Sequence, residues 1–258
     1  GETLTPFAVR GPGFDSGVLR SGTTRRSGYV TLPDIPAMVL DQLGIEVPDA
    51  MSGAPMAVDR SGDTSPERYE AFREANAQTR FRDRTAVTIT VLFVVLQVVL
   101  YALAVAVLLR GRQGLRVVTM GLGLVTMSIP VVTFLLGLVR LDRAGFVAYL
   151  AAMFAGAGVL SGLAVLVGRT VAPSRRVVLV PLVPVALTYL VLLVDVATGG
   201  RLQINTTFGY SPVVAGRFAG FGNPAYALFA MSTVLLACGG WALFGGERPG
   251  PHRRPLTV

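Results

Sequence analysis

The chain has no lysine, a single cysteine and a single histidine among its 258 residues. One cysteine, Cys238, excludes a disulfide within the chain, so cysteine pairing says nothing about the redox compartment. One histidine, His252, set in a Pro/Arg-rich tail, excludes a histidine metal cluster within the chain. Acidic residues are scarce beyond the first third. Residues 1–84 hold 12 Asp/Glu and 10 Arg, whereas residues 85–258 hold 3 Asp/Glu and 13 Arg. The net charge of +8 therefore belongs to the second part. Nucleic-acid binding uses basic patches, but these arginines are scattered at the ends of apolar runs, and no nucleic-acid partner is expected.

What is abundant is apolar. Hydrophobic residues make up 52% of the sequence, and the mean hydropathy is +0.60, values foreign to most soluble domains. The wealth of Ala, Val, Gly and Leu, with arginine as the sole strong base, points to a GC-rich bacterial genome. Five apolar runs, about 85–109, 117–139, 144–168, 177–198 and 224–245, are each long enough to cross a bilayer. We therefore expect a mainly α membrane protein: a five-helix transmembrane bundle preceded by a partial α/β extracytoplasmic segment. The expected divisions are the segment 1–60, a polar stalk 61–84, the bundle 85–245 and a tail 246–258.

Arginine counts set the expected orientation, because Lys/Arg-rich short loops stay in the cytoplasm. Arg110, Arg112 and Arg116 follow the first run, Arg169, Arg175 and Arg176 the third, and Arg248, Arg253 and Arg254 the fifth. These ends are expected in the cytoplasm of a bacterium, with residues 1–84 and the 199–223 loop outside the plasma membrane. Arg80, Arg82 and Arg84, beside the first run on its outer side, run against that pattern.

Within the spans, Ala148, Ala152 and Gly156, and also Gly158 with Gly162, have the spacing of close helix contacts. Pro130 is expected to kink the second span, and Gln97 to bond a neighbouring helix. In the first segment "LTPFAV" (4–9) reads as a short buried strand and "GPG" (11–13) as a tight turn. "TLPDIPAMVLDQLGI" (31–45) reads as a helix with Asp34 as N-cap, Pro36 in the first turn and Gly44 just past the end. Met38, Val39 and Leu43 are its expected apolar face. Thr64 and Glu67 have capping-box spacing at the start of the stalk helix. The sequence opens on Gly1 as if inside a domain, and we expect a longer protein of which this is the C-terminal part.

"LTPFAVRGPGF…SGTTRRSGYVTLPDIPAMVLDQLGIEVPDAMSGAPM", residues 4–56, resembles the C-terminal end of the alkaline phosphatase superfamily, which includes sulfatases and cofactor-independent phosphoglycerate mutases. The resemblance rests on the order Pro6, Gly11-Pro12-Gly13, Thr24-Arg25, Asp34-Ile35, Val39-Leu40, Leu43-Gly44 and Met51-x-Gly53. It implies a hydrolase or phosphotransferase with a Ser or Thr nucleophile and two divalent metals, zinc or manganese, that clamp the attacking and leaving oxygens. The nucleophile and most metal ligands would lie upstream, so this chain alone is not expected to be catalytic. Where the family places a His ligand, just before residues 4–9, this sequence has Glu2, either a carboxylate ligand or a sign that the ligand is absent. Arg25 and Arg26 would either approach an anionic substrate or form a structural salt bridge.

The membrane half resembles multi-spanning membrane proteins of actinobacteria and some Firmicutes that carry the signature F-G-Y-x-P-x-x-A-G-R-F/Y-x-G-x-G-N. Phe208-Gly209-Tyr210, Pro212, Ala215-Gly216-Arg217-Phe218, Gly220 and Gly222-Asn223 match it. The resemblance carries no activity. Two readings of this loop stand. It is a packed re-entrant loop that closes the outer face, with Arg217 or Arg201 paired to Asp195. Alternatively, Asn205, Tyr210, Arg217 and Asn223, with Asp195 beside them, form a crevice for a lipid or polyprenyl phosphate. In either, Phe208, Tyr210, Phe218 and Phe221 are expected at headgroup level. The whole then reads as a membrane-anchored hydrolase or phosphotransferase acting at the outer face on a lipid-linked or anionic envelope ester. The alternative is a transporter, a flippase or a structural membrane protein with a degenerate outer domain.

Overall fold

The computed structural model describes residues 4–60, 62–204, 206–213 and 220–245. Among these, the chain runs β1 (Val18–Ser21), α1 (Asp34–Gln42), β2 (Met56–Asp59), α2 (Ser65–Arg110), α3 (Gln113–Leu136), α4 (Phe146–Gly168), α5 (Pro173–Ala197) and α6 (Asn223–Phe244). Helices α2 to α6 are each long and apolar enough to cross a membrane, and the chain is a multi-pass membrane protein. Successive helices pack as antiparallel neighbours, and α3 also packs on α5. The small sheet, the α3–α4 turn and the α5–α6 loop therefore gather at one end of the bundle, here the sheet end.

The stalk and the first span are one helix of 46 residues. No Gly or Pro interrupts residues 67–110, so nothing ends the helix where its polar part meets its apolar part. The expected capping box forms: the Thr64 N–H and hydroxyl both donate to the Glu67 carboxylate, at 2.6 and 2.8 Å. The polar half is not a free stalk. Glu74 pairs with Arg140 at 2.6 Å and also with Arg143, which fastens α2 to the α3–α4 turn. The second span stops at Leu136, short of the expected 139, because the chain tightens at Gly137 into i→i+3 bonds: Leu138 N donates to Leu135 O at 3.0 Å, and Val139 N to Leu136 O at 3.0 Å.

The bundle core lies between α3 and its neighbours. Ile129, Val131 and Phe134 of α3 meet Ile89 of α2, Met153 and Ala157 of α4 and Leu192 of α5. Pro130 is buried within α3. One face of α4 is inward: Tyr149, Met153, Ala157, Leu160, Ser161 and Ala164. Gly156 lies beside this face, where a Cβ would come within 2.9 Å of Val132 Cγ1, so the expected close contact is made there. Gly158 and Gly162 are not used in this way. A Cβ on either would meet nothing within 4 Å, because the inward stripe turns both away from α3. Gln97 also departs from expectation. It makes no bond to another helix among the described residues, and Thr126 of α3 donates to its own helix, to Leu122 O at 2.8 Å.

In the first segment β1 and β2 pair antiparallel, from Val18↔Asp59 to Ser21↔Met56. Residues 4–9 are not a strand and are not buried. A strand needs a neighbour for its N–H and C=O groups, and the one tie there among the described residues is Leu4 N to Asn76 Oδ1 at 3.3 Å. The 11–13 turn forms, closed by Phe14 N to Gly11 O at 3.3 Å. At the end of α1, Gly44 takes φ +71, and Ile45 N bonds Leu40 O while Gly44 N bonds Asp41 O, a Schellman motif.

Asp34 begins α1 but does not cap it. Its fully buried carboxylate accepts from Thr23 Oγ1 at 2.6 Å, Thr31 N and Oγ1 at 2.7 Å each, and Ala54 N at 3.0 Å. Three stretches of chain thus meet at one anion. That anchor turns Ala37 and Met38 inward with it and leaves Val39 and Leu43 on the outside, contrary to the expected face. Burial raises the Asp34 pKa, and the bonds from Thr23, Ala54 and Thr31 outweigh burial and hold it below the usual carboxylate value.

A carboxylate with a lowered folded-state pKa stabilises the fold above its unfolded pKa, and loses that contribution as pH falls through the folded value. The first segment should therefore loosen in acid below the ordinary aspartate range. Hydrogen exchange at residues 21–54 should show this loosening in the native protein and a flatter pH dependence in Asp34→Asn. For the bundle, Gly156→Leu should cost about 1–3 kcal/mol by overpacking against Val132, and Gly158→Ala should not lower the melting temperature in nanodiscs.

Candidate anion site at the sheet end of the bundle

The α5–α6 loop is built around a buried acid. Asp195, 3% exposed in the last turn of α5, accepts from Leu202 N at 2.7 Å and from Gln203 Nε2 at 3.2 Å. Gln203 is fully buried, and its Oε1 accepts from Gly222 N at 3.1 Å. One carboxamide thus joins the start of the loop to the start of α6. Tyr210 N closes onto Gln203 O at 2.9 Å. The turn between them requires glycine at 209, where a Cβ would sit 1.9 Å from Gln203 O. Thr206, Thr207, Phe208, Tyr210 and Ser211 are all buried. Non-helical backbone at the end of a membrane bundle is thereby enclosed in protein.

Helix α2 helps to hold the loop. Arg82 Nε donates to Thr206 O at 3.2 Å, and Asp83 accepts from Ser211 Oγ at 3.2 Å and pairs with Arg82 at 3.0 Å. Arg82, one of the three arginines that run against the orientation pattern, is therefore neutralised and bonded to the loop. The first segment reaches the same loop through Arg26. Its Nη2 donates to Gly200 O at 2.7 Å and to the Tyr210 hydroxyl at 2.8 Å, and the guanidinium carbon lies 5.9 Å from the Tyr210 ring centre. Ser21 and Thr24 shape the turn that presents Arg26. Ser21 Oγ accepts from Thr23 N and Thr24 N, and Thr24 Oγ1 donates to Tyr29 O at 2.6 Å. Burial raises the pKa of Tyr29 and of Tyr210 against the opposing charge of Arg26, so both phenols are neutral.

Between the first segment and the helix ends lies a cavity of about 520 Å³. Arg20, Arg25, Arg26 and Arg201 line it together with Ser27, Tyr29 and Thr198. From the bundle side Phe81, Leu136, Leu141, Ile204 and Tyr149 line it together with Gln78, Thr133 and Thr206. The one carboxylate on the wall among the described residues, Asp142, already pairs with Arg140 at 3.1 Å.

The expected site is rearranged. Arg25 and Arg26 meet at the cavity, and Arg26 bonds a carbonyl and a phenol. Asp195 has backbone and amide partners; among the described residues it has no ion pair, and Arg201 faces the cavity instead. A backbone N–H and an amide satisfy a buried carboxylate without bringing a second charge out of water. Tyr210 is buried and supports Arg26 through its hydroxyl. Phe208 is buried edge-on to Phe93 at 5.0 Å, whereas Phe221 is half-buried and stacks on Phe229 at 4.9 Å. Asn223 is exposed at the start of α6, away from the arginines that line the cavity. Glu2, Asn205, Arg217 and Phe218 lie outside the described residues. Sequence reasoning did not single out Arg20 and Gln203, and it named Arg201 only as a counter-charge for Asp195. The available signal was the polar pair Arg201 and Gln203 directly after a span. Among the described residues there is no group of three or more His, Cys, Asp or Glu that could hold a metal ion. Compared with protein families, curated proteins and solved structures, the chain matches none of them.

Removing the buried acid should open the loop. Asp195→Ala leaves Leu202 N and Gln203 Nε2 without their acceptor, at a cost of about 1–3 kcal/mol for each buried group. Asp195→Asn cannot restore both bonds. Its amide would face Gln203 Nε2, and turning Gln203 over would set an NH₂ against Gly222 N. Denaturation of Asp195→Ala, Gln203→Ala and the double variant should give strongly non-additive losses; additive losses would show that the two side chains act separately.

Proposed function

We propose that these residues are the membrane-embedded platform of a hydrolase or phosphotransferase that works on an anionic envelope ester at the outer face of a bacterial plasma membrane. The observation that carries this reading is the seating of the first segment on the bundle through Arg26, with Gly200 O at 2.7 Å and the Tyr210 hydroxyl at 2.8 Å. A segment fixed at one height above the helices holds whatever it carries at that height. That suits a substrate whose apolar part stays in the bilayer, because positioning turns an encounter into an effectively unimolecular step. The arginine distribution supports the sidedness: Arg110, Arg112, Arg116, Arg169, Arg175 and Arg176 lie at the far end from the sheet.

The reaction class comes from the resemblance in residues 4–56: in-line displacement at phosphorus or sulfur by a Ser or Thr nucleophile with two divalent metals. The described residues do not fit such a metal pair, so no chemical step is assigned to them. Their part is to bind, to orient and to keep the reacting ester at the membrane face.

The test uses the full-length protein in nanodiscs, with a lipid-linked phosphate ester and a water-soluble aryl phosphate as paired substrates. The lipid-linked ester should be hydrolysed with zinc or manganese and spared after chelation. Arg26→Ala should slow the lipid-linked substrate by about tenfold or more, as misplacement does, and leave the soluble one nearly unchanged. No turnover of either substrate with either metal, or an equal loss on both in Arg26→Ala, would contradict the proposal.

A further inference from the structure

The cavity at the sheet end concentrates positive charge in a segment that is acidic overall. Residues 1–84 carry more Asp/Glu than Arg, yet Arg20, Arg25 and Arg26 from that segment meet Arg201 around one cavity. Arg26 holds the loop. Arg20, Arg25 and Arg201 form no ion pair with any described acid, and their side chains are solvent-accessible. Arg25 is also the one described non-glycine residue with positive φ, at 54°, a conformation that L-residues other than Asn and Asp rarely adopt. Strain of this kind persists where the surroundings fix it, and it gathers at ligand sites.

The cavity has two kinds of wall. Guanidinium forks suited to a phosphate come from the first segment and from Arg201, and the helix ends and their loops add the apolar side chains of Phe81, Leu136 and Ile204 beside Gln78, Thr133 and Thr206. Its volume of about 520 Å³ lies in the range of small-molecule sites and exceeds what a bare tetrahedral anion needs. We propose that it binds a phosphate ester carried on an apolar chain, with the phosphate among Arg20, Arg25 and Arg201 and the first carbons against Phe81, Leu136 and Ile204. This names the substrate class of the platform described above and rests on that reading.

Binding alone tests it, without turnover. The full chain, in nanodiscs of phosphatidylcholine, is titrated calorimetrically at low salt with geranyl phosphate, geraniol and inorganic phosphate. Geranyl phosphate should bind, inorganic phosphate should bind about tenfold more weakly or less, and geraniol should not bind. Arg25→Gly should weaken geranyl phosphate about tenfold without lowering the melting temperature, since glycine accepts positive φ. A residue kept only for structure would not separate affinity from stability in this way. Arg201→Ala should weaken binding similarly, and Arg169→Ala, at the far end, should not. Unchanged affinity in Arg25→Gly and Arg201→Ala would overturn the site, as would geraniol binding as well as its phosphate. Equal affinity for inorganic phosphate would overturn the apolar-chain assignment and leave free phosphate as the ligand. Because hydrolysis is not read here, a protein that binds but does not turn over would sink the enzymatic platform alone.

Discussion

A carboxylate buried at the end of a membrane helix must be matched by donors that travel with it, and the sheet end of this molecule is organised by that requirement. Asp195 draws Leu202 N and the Gln203 amide inward. Gln203 then fixes Gly222 at the entry to α6 and receives Tyr210 N on its carbonyl. The loop is folded down onto the bundle, with Phe208 and Tyr210 buried. Without the buried acid, Gln203 Nε2 would be an unpaired donor in the interior, and the loop would gain more from water than from protein.

The first segment depends on that folded loop. Arg26 bonds Gly200 and Tyr210, both of which the Asp195–Gln203 link positions. The segment has little core of its own: Ala37, Met38 and Met56 are its buried apolar side chains among the described residues. It is held by polar anchors instead, Asp34 inside and Arg26 beneath. The cavity is the space left between these two layers, and its arginines converge because the turn after β1 and the loop after α5 are fixed to each other.

Much of the membrane architecture was legible in the sequence, since bilayer thickness imposes span length and apolarity directly. The capping box at Thr64 and the Gly44 stop were legible for the same local reason: a helix end has unpaired groups, and few residues satisfy them. The failures were non-local. Residues 4–9 have strand-like composition but no neighbouring strand among the described residues. Val39 and Leu43 fit an apolar face, but a buried carboxylate decided which side of α1 turns inward. In the loop, charge matching suggested Arg217 or Arg201 for Asp195; Arg217 lies outside the described residues, and among these a neutral amide and a backbone N–H are the partners of Asp195. The arginines at the cavity come from positions far apart in sequence, Arg20 and Arg201, and only the docking of the first segment brings them together.

That docking is the central claim, and a distance distribution tests it most directly. With Cys238→Ala as background, spin labels at Asp41→Cys on α1 and Ala144→Cys on the α3–α4 turn report on the segment and the bundle in one nanodisc-embedded chain. A single narrow distribution that broadens on Arg26→Ala is the predicted result. A broad distribution in the native Arg26 background would mean that the first segment moves freely over the bundle, and the account of the cavity would fail with it.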